Sequence, residues 1–453
     1  MAAKITNLDK LAKSSRGFEA QRKTVLGIIE KGFESADAKA AVGKALSVEK
    51  GFLKVRDRVF SLKELGNIYV VGAGKASGVM AEAAEKILGT RIKKGIVNSI
   101  ESAKTGRIKI VKASHPLPNQ AGVEGTRKMV ELVSGLKEND LVLCLISGGG
   151  SALLSAPPEK VPLKDKQRMT ELLVRSAATV TEINKVRKHV SLVKGGRLAQ
   201  AAAPAHVVTL IVSDVIGDDL STIASGPTVP DPSTFLDAQN VLKQHGIWEK
   251  IPASVRAHIL DGVSKKIKDT PQGNEPFFRK VANFIILNNA QALESMRMEA
   301  QRRGIPATIF SNRLSGDAGN AAGRILREAQ IATEENVSRP IMLLAGGETT
   351  VKIKGRGKGG RNSEMVMAAL PLLAKMENVV FVSVGSDGID GASPAAGAIA
   401  DTNSFARAKE KKLDYGKFMN DNDTYTFFSR LGDAIMTGYT KTNVMDFQVV
   451  LIS

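Results

Sequence analysis

The chain has 453 residues, 43% hydrophobic and 24% charged, with 42 glycines and 16 prolines. At roughly 150 residues per domain that length suits two or three globular domains, and the composition excludes a disordered, collagen-like or fibrous chain. Sixty-four Lys and Arg against 46 Asp and Glu leave a net charge of +18, compatible with nucleic acid, an anionic membrane or small anionic substrates.

In chain order, the first 60 residues read as helical: residues 24–29 and 38–46 carry apolar side chains at three- and four-residue spacings with charges between. Residues 67–71 form a short apolar run that ends in Gly72-Ala73-Gly74-Lys75, and helical periodicity follows over 76–88. Strand, glycine turn and helix open a parallel α/β unit. Residues 141–146 repeat the pattern into Ser147-Gly148-Gly149-Gly150-Ser151, and residues 206–212 repeat it into Ser213-Asp214. Such continuous apolar strands are buried on both faces, as in a parallel sheet. Residues 239–277 read as helices and polar loop, with 269–276 as the best linker. A second α/β set follows, with strands at 283–287, 307–310, 341–345 and 379–384 and helices at 290–303 and 319–329. A domain boundary is expected near residue 275. None of these runs approaches the ~20 residues of a bilayer helix, and the N-terminus holds no uninterrupted apolar segment that would read as a secretory signal. The single cysteine, Cys144, lies mid-strand and reads as core. A cytoplasmic protein without a membrane partner is expected.

Polar residues gather at the strand ends, where open parallel sheets bind ligands. Gly74 and Lys75 stand at a helix start, beside backbone N–H groups that favour anions. In the run Ser147, Gly148, Gly149, Gly150 and Ser151, backbone N–H groups can approach an oxyanion closely. Singly these turns read as ordinary βα connections; together, with a lysine and flanking hydroxyls, they equally fit a phosphate cradle. No G-x-x-x-x-G-K-[ST] occurs there, and Gly72-Ala73-Gly74 lacks the third glycine of the dinucleotide fingerprint. Asp214, followed by Asp218 and Asp219, closes one strand; Glu348 closes another, with Arg361 and Asn362 at the next helix start; Asp387 closes a third. Phosphoryl transfer uses these types: cations and N–H groups neutralise phosphates, carboxylates hold Mg²⁺, and an aspartate orients or deprotonates the hydroxyl. Turn chemistry accounts for some of the Asp-Gly pairs. Arg187 and Lys188, with Lys194 and Arg197 close behind, read either as a solvated helix face or as cations that attract a carboxylate. The histidines show no metal-ligand spacing.

The chain resembles the glycerate 2-kinases whose C-terminal part is called the MOFRL domain. The resemblance runs from about residue 17 to 449 and rests on VGAGKAS, SHPLPNQAG, LISGGGSALLSAP, INKVRKHVSLVKGGRLA, VSDVIGDDLSTIASGPTVPDPSTF, AGGETTVKIKGRGKGGRNSE, GSDGIDGASPAAGAIAD and NDTYTFFSRLGDAIMTG. It implies a Rossmann-like N-terminal domain (1–275) with a parallel sheet and a smaller C-terminal α/β MOFRL domain (276–453) with a mixed sheet, the active site lying in the cleft between them. It further implies ATP-dependent phosphorylation of D-glycerate at the 2-hydroxyl, with Mg²⁺ as the usual metal and Lys75, Asp214 and Arg361 as catalytic positions. On this reading Lys75 and Arg361 stabilise phosphate charge, Asp214 is the base or the metal-proximal carboxylate, and Asp387 assists the metal. The 147–151 loop then holds phosphate or the glycerate carboxylate, with Gly74, Arg187, Lys188, Glu348 and Asn362 as further contacts. The chain departs from the family near its C-terminus, where TGPTGTNVND is replaced by a segment carrying Tyr439, Lys441 and Met445. A hydroxypyruvate reductase using NAD(P)H and a basic nucleic-acid binder are the alternatives; aromatics at 4% leave few stacking platforms for the latter. A monomer or homodimer without a specific nucleic-acid partner is expected.

Overall fold

The computed structural model describes residues 4–334 and 340–453. The helix Ala38–Ala45 runs directly into three short strands, β1 (Leu46–Glu49), β2 (Phe52–Val55) and β3 (Arg58–Ser61), which form an antiparallel meander where the sequence predicts helix. Lys50 and Gly51 take positive φ (48° and 82°), the backbone that a two-residue hairpin turn needs. Phe52–Val55 then alternates exposed and buried side chains, the period of a strand.

Six strands follow: β4 (Ile68–Ala73), β5 (Ile92–Ser99), β6 (Ile108–Lys112), β7 (Leu141–Ile146), β8 (His206–Val212) and β9 (Val281–Leu287). They form one sheet in the order β6-β5-β4-β7-β8-β9, parallel from β6 through β8. Every residue of β7 is buried, as a strand covered on both faces requires. Cys144 lies there, and burial pushes its thiol up to about 12, so it is an inert core residue. The strand order reverses direction between β4 and β7, which creates the switch point where doubly wound sheets bind ligands. Ala73 pairs with Ile146, so the two turns that follow leave the sheet side by side.

The remaining strands, β10 (Ala307–Leu314), β11 (Ile341–Gly347), β12 (Val379–Gly385), β13 (Gly397–Asp401), β14 (Ala434–Ile435) and β15 (Asp446–Ile452), form a mixed sheet in the order β10-β11-β15-β12-β13-β14. β10 and β11 are parallel, and β15 runs antiparallel between β11 and β12. The helices Ala318–Glu334 and Arg361–Leu373 bury Ile325, Met365 and Leu370 against Phe381 and Val450 of this sheet.

The units differ from the expected division at residue 275. One is Ala38–Ile286; the other joins the described residues up to Asp37 to those from Leu287 onward. The helix Glu19–Ser35 explains this. Phe33 meets Phe447 edge-on at 6.2 Å, and the fully buried Arg22 donates to Asp401 (2.6 Å) and Asp433 (2.8 Å). Residues 269–276 are no linker: Thr270 is buried and donates to Asp231 (2.9 Å), whose own N–H donates to the Pro271 carbonyl (2.8 Å). Among the described residues no helix is long and apolar enough to cross a membrane.

Candidate active site

At the switch point of Ala38–Ile286, the turn after β4 is clamped to the turn after β7. Gly74 N–H donates to the Asn98 carbonyl (3.2 Å), Lys75 N–H to the Gly148 carbonyl (2.8 Å), and Ala76 N–H to Ser147 Oγ (2.9 Å). The backbone donors expected to face an anion at this helix start are therefore used internally. Gly74 is needed for space instead: its φ is +151°, and a β-carbon there would lie 2.1 Å from Ser147 Oγ. Ser147 is likewise buried and acts as a structural cap, with Ser77 Oγ at 3.1 Å.

The glycines that follow behave differently. Among the described residues, the N–H groups of Gly148 and Gly149 make no hydrogen bond. A β-carbon at Gly148 would lie 2.1 Å from Asp214 Oδ2, and one at Gly149 would lie 2.8 Å from His115 Cδ2 and 3.3 Å from Lys75 Cγ. One tight loop thus brings Asp214, Lys75 and His115 together around two open backbone donors. Lys75 and Asp214 are both half-buried. Asp219 serves the turn, accepting from Ser221 and Thr222.

Beside this loop lies a pocket of about 490 Å³ whose wall includes His115, Ser151, Ser155, Lys166, Arg187 and Lys194. Burial, reinforced by Lys166, Arg187 and Lys188, pushes the Lys194 ammonium well below the ordinary lysine value; its Nζ donates to the Ala224 carbonyl at 3.1 Å. Burial and the Arg187 charge bring Lys166 down to about 7. Burial also lowers Arg187. Lys188, grouped with Arg187 in the sequence reading, is instead ion-paired with buried Asp231 (3.3 Å). Sequence reasoning missed Lys166, whose place in the amphipathic helix Leu163–Arg175 reads as surface, and noted Lys194 only as part of a cationic run.

In the second unit, Arg361 opens its helix and forms a bidentate pair with Asp446 (2.6 and 3.0 Å) and a bond to Glu348 (2.7 Å). Burial works against the guanidinium charge, but Asp446 and Glu348 outweigh it and raise Arg361 above its ordinary value. Burial pushes Asp446 up to about 6 against the pull of Arg361; the two short bonds keep the pair ionised at neutral pH. Asn362 is turned to protein partners. It is buried, its N–H donates to Asp390 (2.9 Å), and its amide oxygen accepts from Ser383 (2.6 Å). Asp390 also accepts from Ser363 N–H (2.8 Å), so a protein carboxylate already fills this helix N-terminus. Asp387 is half-buried and accepts from Ile389 N–H (3.1 Å). The segment with the family departures is pinned: Met445 is buried, and Val444 N–H donates to Ser386 Oγ (2.8 Å). No group of three or more His, Cys, Asp or Glu suited to a metal occurs among the described residues. Single carboxylates such as Asp214 or Asp387 fit the way Mg²⁺ is held with substrate phosphates, by one or two carboxylates and not by a protein cage.

The MOFRL family matches residues 341–446, and a family described as a domain of unknown function (DUF4147) matches residues 24–260. Glycerate 2-kinase of Pyrococcus horikoshii is 38% identical over 95% of this chain and 97% of its own length. A protein of Agrobacterium vitis named putative hydroxypyruvate reductase is 39% identical over 85% of this chain and 87% of its own. The crystal structure of glycerate kinase from Thermotoga maritima matches with a TM-score of 0.83 at 36% identity, covering 96% of this chain and 100% of that one. A likeness of this depth, carried from the switch-point loops through the mixed sheet, makes the chain a member of the MOFRL-type glycerate 2-kinase family and an enzyme, a kinase.

Proposed function

We propose that the protein transfers the terminal phosphoryl group of ATP to the 2-hydroxyl of D-glycerate, giving 2-phosphoglycerate and ADP. The observation that carries this reading is the loop at Gly148 and Gly149, with two unengaged N–H groups, the Asp214 carboxylate against one glycine and the Lys75 stem against the next. Asp214 orients the attacking hydroxyl and accepts its proton. The Lys75 ammonium and the two N–H groups meet the negative charge of the phosphoryl oxygens, which is most of what such a transfer asks of a protein. Arg361, kept cationic by Asp446 and Glu348, is the candidate phosphate-facing cation of the other unit. Mg²⁺ would supply further neutralisation of phosphate charge when bound; Asp214 is the carboxylate beside the glycine loop that would hold it, and Asp387 is the candidate carboxylate of the other unit.

The reductase reading fares worse on one observation. A dinucleotide pyrophosphate needs open N–H groups at the helix after the first strand, and Gly74, Lys75 and Ala76 have all given theirs to protein acceptors. The deciding experiment is a coupled assay with product identification by NMR. ADP release that requires D-glycerate and Mg²⁺, with 2-phosphoglycerate as product and no NADH oxidation on hydroxypyruvate, is expected. NADH oxidation without glycerate-dependent ADP release would remove the kinase reaction from this site.

A further inference from the structure

The pocket beside the glycine loop holds more positive charge than the protein itself can answer. Lys166 and Lys194 are 5% and 0% exposed, and the groups that act on their charge are other cations. Among the described residues, Lys166 Nζ makes no hydrogen bond, nor does the buried Ser155 hydroxyl in the same wall. The carboxylate in that wall, Glu171, is turned to Arg168 and Arg175 on its own helix (2.9 and 2.7 Å). Desolvated lysines without a counter-charge are unfavourable to the fold, and an entering anion removes that penalty. The volume, about 490 Å³, suits a small molecule.

The pocket's position narrows the anion. Gly149 and Ser151 belong to its wall and to the loop that carries Gly148 against Asp214. In a 2-hydroxy acid the carboxylate carbon is bonded to the carbinol carbon, so a hydroxyl held at Asp214 keeps its carboxylate beside this loop. We infer that the pocket seats the substrate carboxylate, with Lys166 and Lys194 as its charged contacts, Arg187 adding charge from the half-buried side and Ser155 donating a hydrogen bond. A nucleotide phosphate offers similar chemistry, but a metal-bound polyphosphate brings its own counter-cation, whereas a carboxylate does not. The inference rests on the phosphoryl-transfer reading only for the address of the hydroxyl.

Calorimetric titration of the full chain with D-glycerate, with and without ADP, and steady-state kinetics test it on Lys166→Met and Lys194→Met. Each variant is expected to weaken D-glycerate binding and raise its KM by about ten-fold or more, with KM for ATP within about two-fold. Arg187→Gln carries the test if a lysine variant does not fold. A rise in KM for ATP with glycerate unaffected would overturn the inference in favour of a nucleotide phosphate. Unchanged binding of both ligands in folded variants would overturn it altogether. Glycerate binding that the variants weaken, without glycerate-dependent ADP release in the parent protein, would support the inference while sinking the kinase reaction.

Discussion

Two groups of buried cations in this molecule have opposite surroundings. Arg22 is fully buried in the second unit and is answered by Asp401 and Asp433, the latter shared with Arg407 at 3.0 Å. Burial alone would lower its charge affinity, yet the two aspartates raise it above the ordinary arginine value. Lys166 and Lys194 are buried as deeply, but burial and neighbouring cations push both down. Burial of charge therefore carries no single meaning. A network closed within the protein fixes a fold, whereas one left open on the negative side awaits a ligand.

The comparison breaks most easily at Arg22. Arg22→Met strands buried Asp401 and leaves Asp433 with Arg407 alone, and is expected to cost about 3–5 kcal/mol in denaturant unfolding; a loss below about 1 kcal/mol would mean the network holds little. Next, Lys75→Ala and Arg361→Ala are expected to lower kcat about 10²-fold or more, since each removes charge stabilisation made in the transition state. Near-normal kcat in both would place the chemistry elsewhere. Lys75→Ala is the cleaner of the two, because Arg361→Ala also strips buried Asp446 of its partner.

The open cluster is sharpened by pH. Lys166 titrates at about 7, below its ordinary 10.5, and an anion in the pocket raises that value. KM for D-glycerate should then be flat below about pH 7 and climb above it, by up to roughly ten-fold per unit, because binding must take up a proton there. Arg187, Lys194, His115, Glu171 and Arg175 line the same pocket. His115→Gln should keep the slope and Lys166→Met should abolish it; a slope lost with His115 would reassign the titration. The smallest effect is expected in the stability of Lys194→Met. With no counter-charge to strand, unfolding free energy should stay within about 1 kcal/mol of the parent or rise, and a loss as large as that of Arg22→Met would erase the distinction.

Sequence patterns reveal the parallel sheet because β4, β7 and β8 are covered on both faces and so spell unbroken apolar runs. The switch-point turns are legible for the same reason, since glycine and hydroxyl residues end those runs. The meander at 46–61 was hidden by a helix that passes into strand without a break. The grouping of the first helices with the C-terminal sheet was hidden as well: the helix Glu19–Ser35 is amphipathic whichever body it covers, and its partners, Phe447 on Phe33 and Asp401 and Asp433 on Arg22, say which. At the candidate site, Asp214 and Lys75 stand where the sequence puts them, just past strand ends. Lys166 could not be read in this way, because a buried lysine and a solvated one are the same letter. Nor could the sequence show that the helix start at Asn362 is capped by Asp390 from a distant loop.

The division of the chain also sets an order of events during synthesis. The helix Glu19–Ser35 leaves the ribosome long before its partner Phe447, which lies on β15, the last strand of its sheet to be made and a central one. The unit Ala38–Ile286 can complete itself in the interval, as domains folding in turn during translation do. The early helix waits through that interval with its apolar face and Arg22 uncovered, its two aspartates and Phe447 still to be made.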